Sequence, residues 1–356
     1  MRVCHAAIAA ASFLLAGCGP SREDAPIDDV RVAKRRLSVI VEGCVVDPWQ
    51  SATLRSPASR AVLAEVILLC PAFRADGLVT PIDPAARSEV HGTVAALRSL
   101  GYRVTLGLRA NDERGVSLGG AEVARSLASA ATRTKIIDGL LAVGASADGV
   151  ELSLLFVAAS ARKDLAVFAS ELRSALGSTK QLGVFAPPSV SEPSDLPDGD
   201  AYDLRAMRDS VSRVRLMTLD FSCCGAPPGP TIDPGWAVDA ARFARSMVLP
   251  EIDVAYPLYG WDFSSGAERP VTFFEARGIA AWRGVPIERG PTHAPHFRWT
   301  DTHGAAHDTW FDDATSTVRA LEAWPRSVLP DDVGVVLYGL GAEDPALFPA
   351  LQRAMR

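Results

Sequence analysis

From residue 37 onward, short apolar runs alternate with amphipathic segments, and few folds accommodate such a pattern. The predicted strands are residues 38–45, 66–71, 103–108, 149–156, 181–186, 214–219, 251–258 and 334–337. The predicted helices are residues 90–100, 132–143, 163–176, 236–246 and 316–323. Several strands are rich in Val, Leu and Ile without strict alternation, as in strands that are buried on both faces. Eight strands alternating with helices predict an α/β protein with a (β/α)8 TIM barrel. A doubly wound open sheet is the alternative, although no Gly-rich phosphate loop follows an early strand.

The interval between the seventh and eighth predicted strands is long, at about 75 residues. Its predicted elements are strands at 271–274, 297–300 and 307–311 and a helix at 275–282. The turn DTHG at 301–304 predicts that the last two strands form a hairpin. We therefore expect a small α+β insertion between strands 7 and 8, at about residues 264–312.

The N-terminal apolar block is short and ends in a cysteine. Residues 6–15 have the length of a secretory signal, and no apolar run in the chain reaches the roughly 18 residues of a spanning helix. The sequence LAGC at 15–18 resembles the lipobox of bacterial lipoproteins, which implies a signal peptide at 1–17 and lipidation of Cys18. The polar residues 18–36 predict a flexible tether to a barrel domain at 37–356. A plain signal peptide followed by a chance cysteine is the alternative.

This segment predicts an exported protein of the bacterial cell envelope, attached to the membrane through the lipid anchor only. Gly19 follows the cysteine, whereas an Asp there tends to retain lipoproteins in the inner membrane of Gram-negative bacteria, so the outer membrane is expected in such a cell. In an oxidising compartment, Cys44 and Cys70, which each end an apolar strand-like run, are a possible disulfide. Cys223 and Cys224 are either free or a vicinal pair.

Charge and histidine content limit the partners. The chain carries 36 basic and 42 acidic residues, a formal charge of -6, which gives no electrostatic footprint for nucleic acid. Four histidines lie close together, at positions 293, 296, 303 and 307, but their spacing fits no common metal site. The sequence therefore predicts neither a metal nor another cofactor.

Four segments carry a family resemblance. They are DGVELSLL at 148–155, MTLDF at 217–221, YPLYGW at 256–261 and WFDD at 310–313. Their order and spacing resemble those of glycoside hydrolase family 18, the chitinase-like TIM barrels, and in particular the bacterial branch with spore-cortex and peptidoglycan hydrolases. The resemblance implies a barrel that acts on N-acetylglucosamine-containing glycans by substrate-assisted hydrolysis, in which the acetamido oxygen of the sugar is the nucleophile.

The sequence departs from the family at the positions of the reaction. The fourth-strand motif of the family ends in the glutamic acid that protonates the glycosidic oxygen, and here that position is Leu155. Ser153 stands where an aspartate orients the acetamido group, and Leu219 where a tyrosine contacts it. Asp148 and Glu151 keep acidic residues, but Glu151 lies about 13 Å before Leu155 along a strand, deep in the barrel. The degenerate motif Asp148, Glu151, Ser153 and Leu155 therefore predicts a protein without hydrolytic activity.

The remaining residues of the cleft favour binding. Asp220 keeps the acidic position after strand six, and aromatic residues follow strands seven and eight at Tyr259, Trp261 and Tyr338. Aromatic rings and a few polar groups are typical of a small-ligand site. We expect a chitin- or peptidoglycan-like partner. The alternatives are an active glycosidase with a non-standard acid and a scaffold with an occluded cleft that binds an envelope protein.

Overall fold

A computed structural model describes residue 32 and residues 35–81, 89–194, 196, 198–247, 251–264, 267–324 and 333–356. The strands are β1 (Leu37–Glu42), β2 (Leu63–Leu69), β3 (Pro71–Phe73), β4 (Val79–Pro81), β5 (Arg103–Ala110), β6 (Gly149–Leu152), β7 (Gln181–Ala186), β8 (Arg213–Leu216), β9 (Ile252–Pro257), β10 (Gly260–Ser264), β11 (Ala267–Val271), β12 (Glu288–Arg289), β13 (Pro295–Thr300), β14 (Ala306–Trp310) and β15 (Gly334–Tyr338). The helices are α1 (Pro48–Arg55), α2 (Pro57–Val62), α3 (Val90–Ser99), α4 (Gly120–Ala128), α5 (Ala130–Val143), α6 (Arg162–Leu176), α7 (Leu204–Met207), α8 (Pro234–Ser246), α9 (Phe273–Arg283), α10 (Ala314–Ala323) and α11 (Leu347–Ala354).

Eight parallel strands close into a barrel. In order around it they are β1, β2, β5, β6, β7, β8, β9 and β15, and β15 pairs with β1 to complete the ring. The largest apolar cluster lies between this sheet and its helices, where Val66 and Leu68 of β2 meet residues such as Val94 of α3. The predicted (β/α)8 barrel is confirmed, and each of the eight predicted strands is present.

The ends of three predicted strands are wrong. The first, predicted to residue 45, ends at Glu42. The sheet pairing of β6 ends at Leu152, so residues 153–156 form a loop in which Phe156 has a φ of 55°. Likewise β8 ends at Leu216, and Asp220 lies in the following loop with a φ of 60°. The apolar runs continue past the sheet because the loops at the barrel mouth also pack their Leu side chains: Leu154 and Leu219 are buried.

A second sheet lies between β9 and β15. Its strand order is β11, β10, β14, β13, β12, all antiparallel, and β13 and β14 form the hairpin predicted around residues 301–304. The strand predicted at 271–274 is wrong: β11 ends at Val271 and α9 begins at Phe273. Thr272 accounts for the switch, because its side chain accepts a hydrogen bond from the Glu275 backbone N–H while the Glu275 carboxylate accepts one from the Thr272 backbone N–H. This capping box starts a helix.

The helix α9 packs on one face of this insertion sheet. Ala276 and Ala280 of α9 contact Phe297 and Phe311 in a small apolar cluster of their own. Side chains on successive strand residues point to opposite faces, so Trp261 lies on the face opposite to its neighbour Asp262. The insertion sheet thus has one face toward the barrel mouth and one under α9.

Candidate functional site

The barrel interior has three levels, and its floor is charged. Arg215 of β8 lies at the centre, with 1% of its side chain exposed. Its Nη2 is 2.7 Å from Glu65 Oε2, its Nη1 contacts Glu151 Oε2, and its Nε is 3.2 Å from Asp253 Oδ2. The last contact is an ion pair without hydrogen-bond alignment. Arg213 adds a second guanidinium, 2.6 Å from Glu65.

Burial and the neighbouring opposite charges have opposing effects on the pKa values of the floor residues. Burial would raise the pKa of Glu65, but Arg215 and Arg213 outweigh it and hold that pKa at about 2. Burial raises the pKa of Glu151 against the attraction of Arg215, with the charges of Glu65 and Asp253 adding to the rise. Although burial favours a neutral guanidine, the surrounding carboxylates raise the pKa of Arg215 above its usual value. Glu65 is therefore ionised and paired with Arg215 and Arg213, which is the condition for burying a charge.

Above the floor lies an apolar layer. Its buried residues are Ile40, Ile67, Leu69, Phe185, Leu219, Ala255 and Val336. Ser153 lies near this level and is packed against Gly107, where a Cβ would come within 3.0 Å of Ser153 Oγ and 2.5 Å of Leu69. This layer separates the carboxylates of the floor from the mouth of the barrel.

The four positions of the degenerate motif are spread along the barrel axis. Asp148 precedes β6 and holds the start of β5, since its Oδ2 accepts a hydrogen bond of 2.9 Å from the Val104 backbone. Glu151 belongs to the floor, and Ser153 Oγ donates to it over 3.3 Å. Leu155 follows β6 and is half-buried. The acid position thus lies beyond the strand end, and the nearest carboxylate of the motif is engaged by Arg215.

Asp220 is the carboxylate of the mouth. Its Oδ1 accepts hydrogen bonds from Tyr259 Oη at 2.6 Å and Trp261 Nε1 at 2.8 Å. Tyr259 lies in the connection between β9 and β10 and Trp261 in β10 itself, and Asp220 has a left-handed backbone conformation. Burial raises the pKa of Asp220, while the two hydrogen bonds oppose the rise. The structure brings together three of the residues predicted for glycan binding.

Tyr338 completes the mouth from the other side. It lies at the end of β15, stacks 6.1 Å from Phe185 and stands edge-on to Tyr259 at 6.2 Å. Its hydroxyl donates to Glu42 at the end of β1. Sequence reasoning missed Glu42. The signal was available, because Glu42 continues the inward series Ser38, Ile40 of a barrel strand.

Tyr259, Trp261, Tyr338 and Glu42 border a cavity of about 590 Å³ between the barrel mouth and the insertion. Its walls include the aromatic rings of Tyr259, Trp261 and Tyr338 and the polar side chains of Glu42, Asp47, Gln50 and Glu275. The volume is that of a small-ligand site. Aromatic faces can stack on pyranose rings, and carboxylates and amides can hydrogen-bond hydroxyl groups.

The structure contains two disulfides near this end of the barrel. One joins Cys44 to Cys70, just after β1 and β2. The other joins Cys223 to Cys224 in the loop after β8. Within the described ranges, these two sulfurs and Glu268 are the one group of possible metal-ligating atoms drawn together. A disulfide sulfur is not a thiolate ligand, and Glu268 already accepts backbone hydrogen bonds from Cys224 and Gly225.

Cys18 and the predicted tether lie outside the described residues, apart from residues 32, 35 and 36. In the part of the chain that the structure covers, no helix has the length and apolar character needed to cross a membrane.

Comparisons with known proteins complete this description. No family model matches the chain. The cortical fragment-lytic enzyme of Bacillus anthracis is 30% identical over 125 residues, which are 33% of this chain and 29% of that enzyme. The chain therefore spans less than a third of the length of this curated relative.

Solved structures match more of the chain. The spore cortex-lytic enzyme SleL of Bacillus cereus superposes with a TM-score of 0.76 at 20% identity, covering 91% of this chain and 75% of SleL. A class V chitinase from Pseudomonas fluorescens Pf-5 gives a TM-score of 0.76 at 20% identity, covering 90% of this chain and 99% of the chitinase. The chain therefore has the fold of the chitinase-like barrels of glycoside hydrolase family 18, as its motifs predicted, and shares sequence with the cortical fragment-lytic enzymes.

Proposed function

We propose that the barrel mouth binds an N-acetylglucosamine-containing glycan, chitin-like or peptidoglycan-like, without hydrolysing it. The observation that carries the proposal is the contrast within one cleft. Tyr259 and Trp261 line the cavity, and both donate hydrogen bonds to Asp220. The acid position, by contrast, is Leu155, a side chain with no proton to donate.

The loss of the acid is not compensated from below. Glu151 is fully buried and contacts Arg215, and the apolar layer separates it from the mouth. General acid catalysis contributes a factor of about 10²–10⁴, and removal of an electrostatic stabiliser costs about 10²–10³. Replacement of the acid, of the orienting aspartate at Ser153 and of the tyrosine at Leu219 removes the groups on which the reaction of the family depends.

The relatives support the choice of ligand. One is named for the lysis of cortical fragments, and another is a chitinase.

We further propose that Cys18 carries the lipid and holds the barrel at the cell envelope, where such glycans occur. A Cys18→Ala variant is then expected in the soluble fraction of cells that retain the parent protein in their membranes. Membrane retention of the variant would contradict the anchor.

The binding test is calorimetric titration of the full chain, in mild detergent, with chito-oligosaccharides and soluble peptidoglycan fragments. We expect saturable binding that Trp261→Ala and Asp220→Asn each weaken about tenfold, since each loses one hydrogen bond to a charged or buried partner. For the chito-oligosaccharides, which carry no carboxylate, Trp282→Ala is the matched control, because Trp282 is also a tryptophan of the insertion but lies at the end of α9, away from the cavity. Absence of binding by any of these glycans would overturn the proposal and favour the protein scaffold.

A second candidate, hydrolysis with Asp220 as the acid, is favoured by one observation: burial raises the pKa of this mouth carboxyl. The same samples decide between the two. Release of reducing ends by the parent and its loss in Asp220→Asn would establish this second function and contradict a purely binding role.

A further inference from the structure

A tryptophan and an arginine form an exposed stack at the end of α9. Trp282 is 72% exposed, the largest exposed fraction among the large apolar side chains of the described residues. The guanidinium of Arg283 lies over the Trp282 ring at 4.0 Å from its centroid, and over the Trp299 ring at 4.9 Å. Gly284, with a φ of 65°, ends the helix directly after them. The guanidinium is thus held between two indole rings.

The inner part of this stack is fixed by the insertion sheet. Trp299 of β13 stacks at 4.0 Å on His307, its cross-strand partner in β14. Trp299 Nε1 donates to Thr309 Oγ1 over 3.0 Å. Asp262 receives a 2.6 Å hydrogen bond from Thr309 and lies 2.8 Å from His307 Nδ1. The second ring beside Arg283 is therefore oriented before any ligand arrives.

Arg283 lacks an acceptor. Within the described ranges it forms no hydrogen bond or ion pair, and its Nε is buried without a partner. A guanidinium is charged at every relevant pH, and an unsatisfied buried donor is unfavourable. The cation–π contacts hold the group in place without satisfying its planar fork of donors, which matches a carboxylate in two parallel hydrogen bonds.

The stack is separate from the cleft. Trp299, His307, Thr309 and Asp262 share one face of the insertion sheet by their pairing register. Trp261, the neighbour of Asp262, points to the opposite face, where it donates to Asp220. A ligand on Trp282 and Arg283 would therefore not occupy the cavity at the barrel mouth.

We propose that Trp282, Arg283 and Trp299 form a second carbohydrate site, which binds a pyranose that carries a carboxylate. The open surface of the Trp282 indole offers an apolar plane for the C–H groups of the ring, and Arg283 beside it offers donors for the carboxylate. A single guanidinium suits one carboxylate, whereas anionic membranes attract clusters of basic residues and the chain carries a formal charge of -6. The site adds to the proposed function and does not depend on it.

The test uses the full chain and a probe without N-acetylglucosamine. Trigalacturonate supplies pyranoses with carboxylates, and its methyl ester is the neutral match. By calorimetry we expect trigalacturonate to bind, the methyl ester to bind at least tenfold more weakly, and added salt to weaken the acid probe alone. Arg283→Leu should reduce the affinity at least tenfold, Arg283→Lys by less, and Trp282→Ala about fivefold.

Controls separate this site from the cleft. Trp261→Ala should leave trigalacturonate affinity unchanged, and Arg283→Leu should leave chito-oligosaccharide affinity unchanged, so failure of one site is distinguishable from failure of the other. Should Arg283→Leu misfold by circular dichroism, Arg283→Lys and Trp282→Ala decide the matter alone. The proposal is overturned if trigalacturonate does not bind, if binding survives these substitutions, or if only vesicles of anionic phospholipid bind through Arg283.

Discussion

The floor and the mouth of the barrel are built from the same strands, yet they treat carboxylates in opposite ways. At the floor, Glu65 and Glu151 contact the guanidinium of Arg215 and are almost completely buried. At the mouth, Asp220 accepts hydrogen bonds from the hydroxyl of Tyr259 and the indole of Trp261, which are both neutral donors. The carboxyl groups of the floor share a buried cation, whereas Asp220 is held by neutral hydrogen-bond donors.

The difference between floor and mouth follows β6 and the loop after it. Along β6 the chain runs from Glu151 at the floor, through Ser153, to Leu155 at the mouth. A carboxyl side chain is thus present at the floor, where it contacts Arg215, and absent at residue 155 near the mouth. The predictions below alter one level at a time.

Restoring the acid at the mouth should give the largest change. In the Ser153→Asp, Leu155→Glu variant, we expect release of reducing ends from chito-oligosaccharides at least 100-fold above the parent, since general acid catalysis contributes about 10²–10⁴. Single-turnover assays at pH 5 to 7 measure the effect.

The matched control is Ser153→Asp, Leu155→Gln, which has the same shape without an acidic proton and should remain at the level of the parent. A parent that already hydrolyses as fast as the double variant would contradict the binding-only function. A double variant that binds the glycan but never cleaves it would show that the cleft no longer positions a scissile bond.

Removing the cation of the floor should give the next largest effect. Arg215→Ala leaves Glu65, Glu151 and Asp253 buried without their common partner, and breaking a buried ion pair costs about 3–5 kcal/mol. Urea denaturation should show this loss in the free energy of unfolding. Arg103→Ala is the control: Arg103 lies 3.5 Å from the same Glu65, but its side chain is 42% exposed, so little change is expected. Equal losses in both variants would refute a central role for Arg215.

The barrel could be predicted from the sequence because its signals are local and repeated. Runs such as residues 181–186 are long enough for one strand, and their flanking segments have helical periodicity. Strand ends were less predictable. The run 214–219 has apolar residues on both sides of Leu216, but strand pairing stops at Leu216, so composition alone does not determine where pairing ends.

The site was only half predictable. Asp220, Tyr259 and Trp261 were expected near the mouth from their places after strands six and seven, but their mutual hydrogen bonds depend on the loop backbone at Asp220. Glu42 and the stack of Arg283 between Trp282 and Trp299 depend on residues far apart in the chain. Pairings of this kind have no periodicity that a single sequence could reveal.

Asp312 differs from the carboxyl groups of both the floor and the mouth, because it is fully buried and hydrogen-bonded directly to two hydroxyl groups. It accepts hydrogen bonds from Tyr256 and Ser316, and burial raises its pKa to about 7. Because the folded pKa lies above the unfolded value of 3.8, the folded state binds more protons, and its stability falls as the pH rises from about 4 to about 7. Asp312→Asn should remove this part of the pH dependence, which amounts to a few kcal/mol. Parallel stability curves for the variant and the parent over that range would contradict the assignment.

Tyr259→Phe should produce the smallest change. It removes the 2.6 Å hydrogen bond to Asp220, which opposes the effect of burial, so the pKa of Asp220 should rise further. A hydrogen bond to a charged group contributes about 1.5–3 kcal/mol. Trp261 still donates its own hydrogen bond to Asp220 in the variant, so only part of the stabilisation of the carboxylate is lost. We therefore expect chito-oligosaccharide affinity at pH 7 to fall about tenfold. The affinity lost should be smaller at pH values low enough to protonate Asp220 in both proteins.

Tyr102→Phe is the control, because its buried hydroxyl donates to the Leu54 carbonyl instead, and it should lower stability while leaving the affinity unchanged. An unaltered affinity in Tyr259→Phe would mean that Asp220 does not contact the glycan as a carboxylate, and the difference between floor and mouth would then lie in solvent exposure alone.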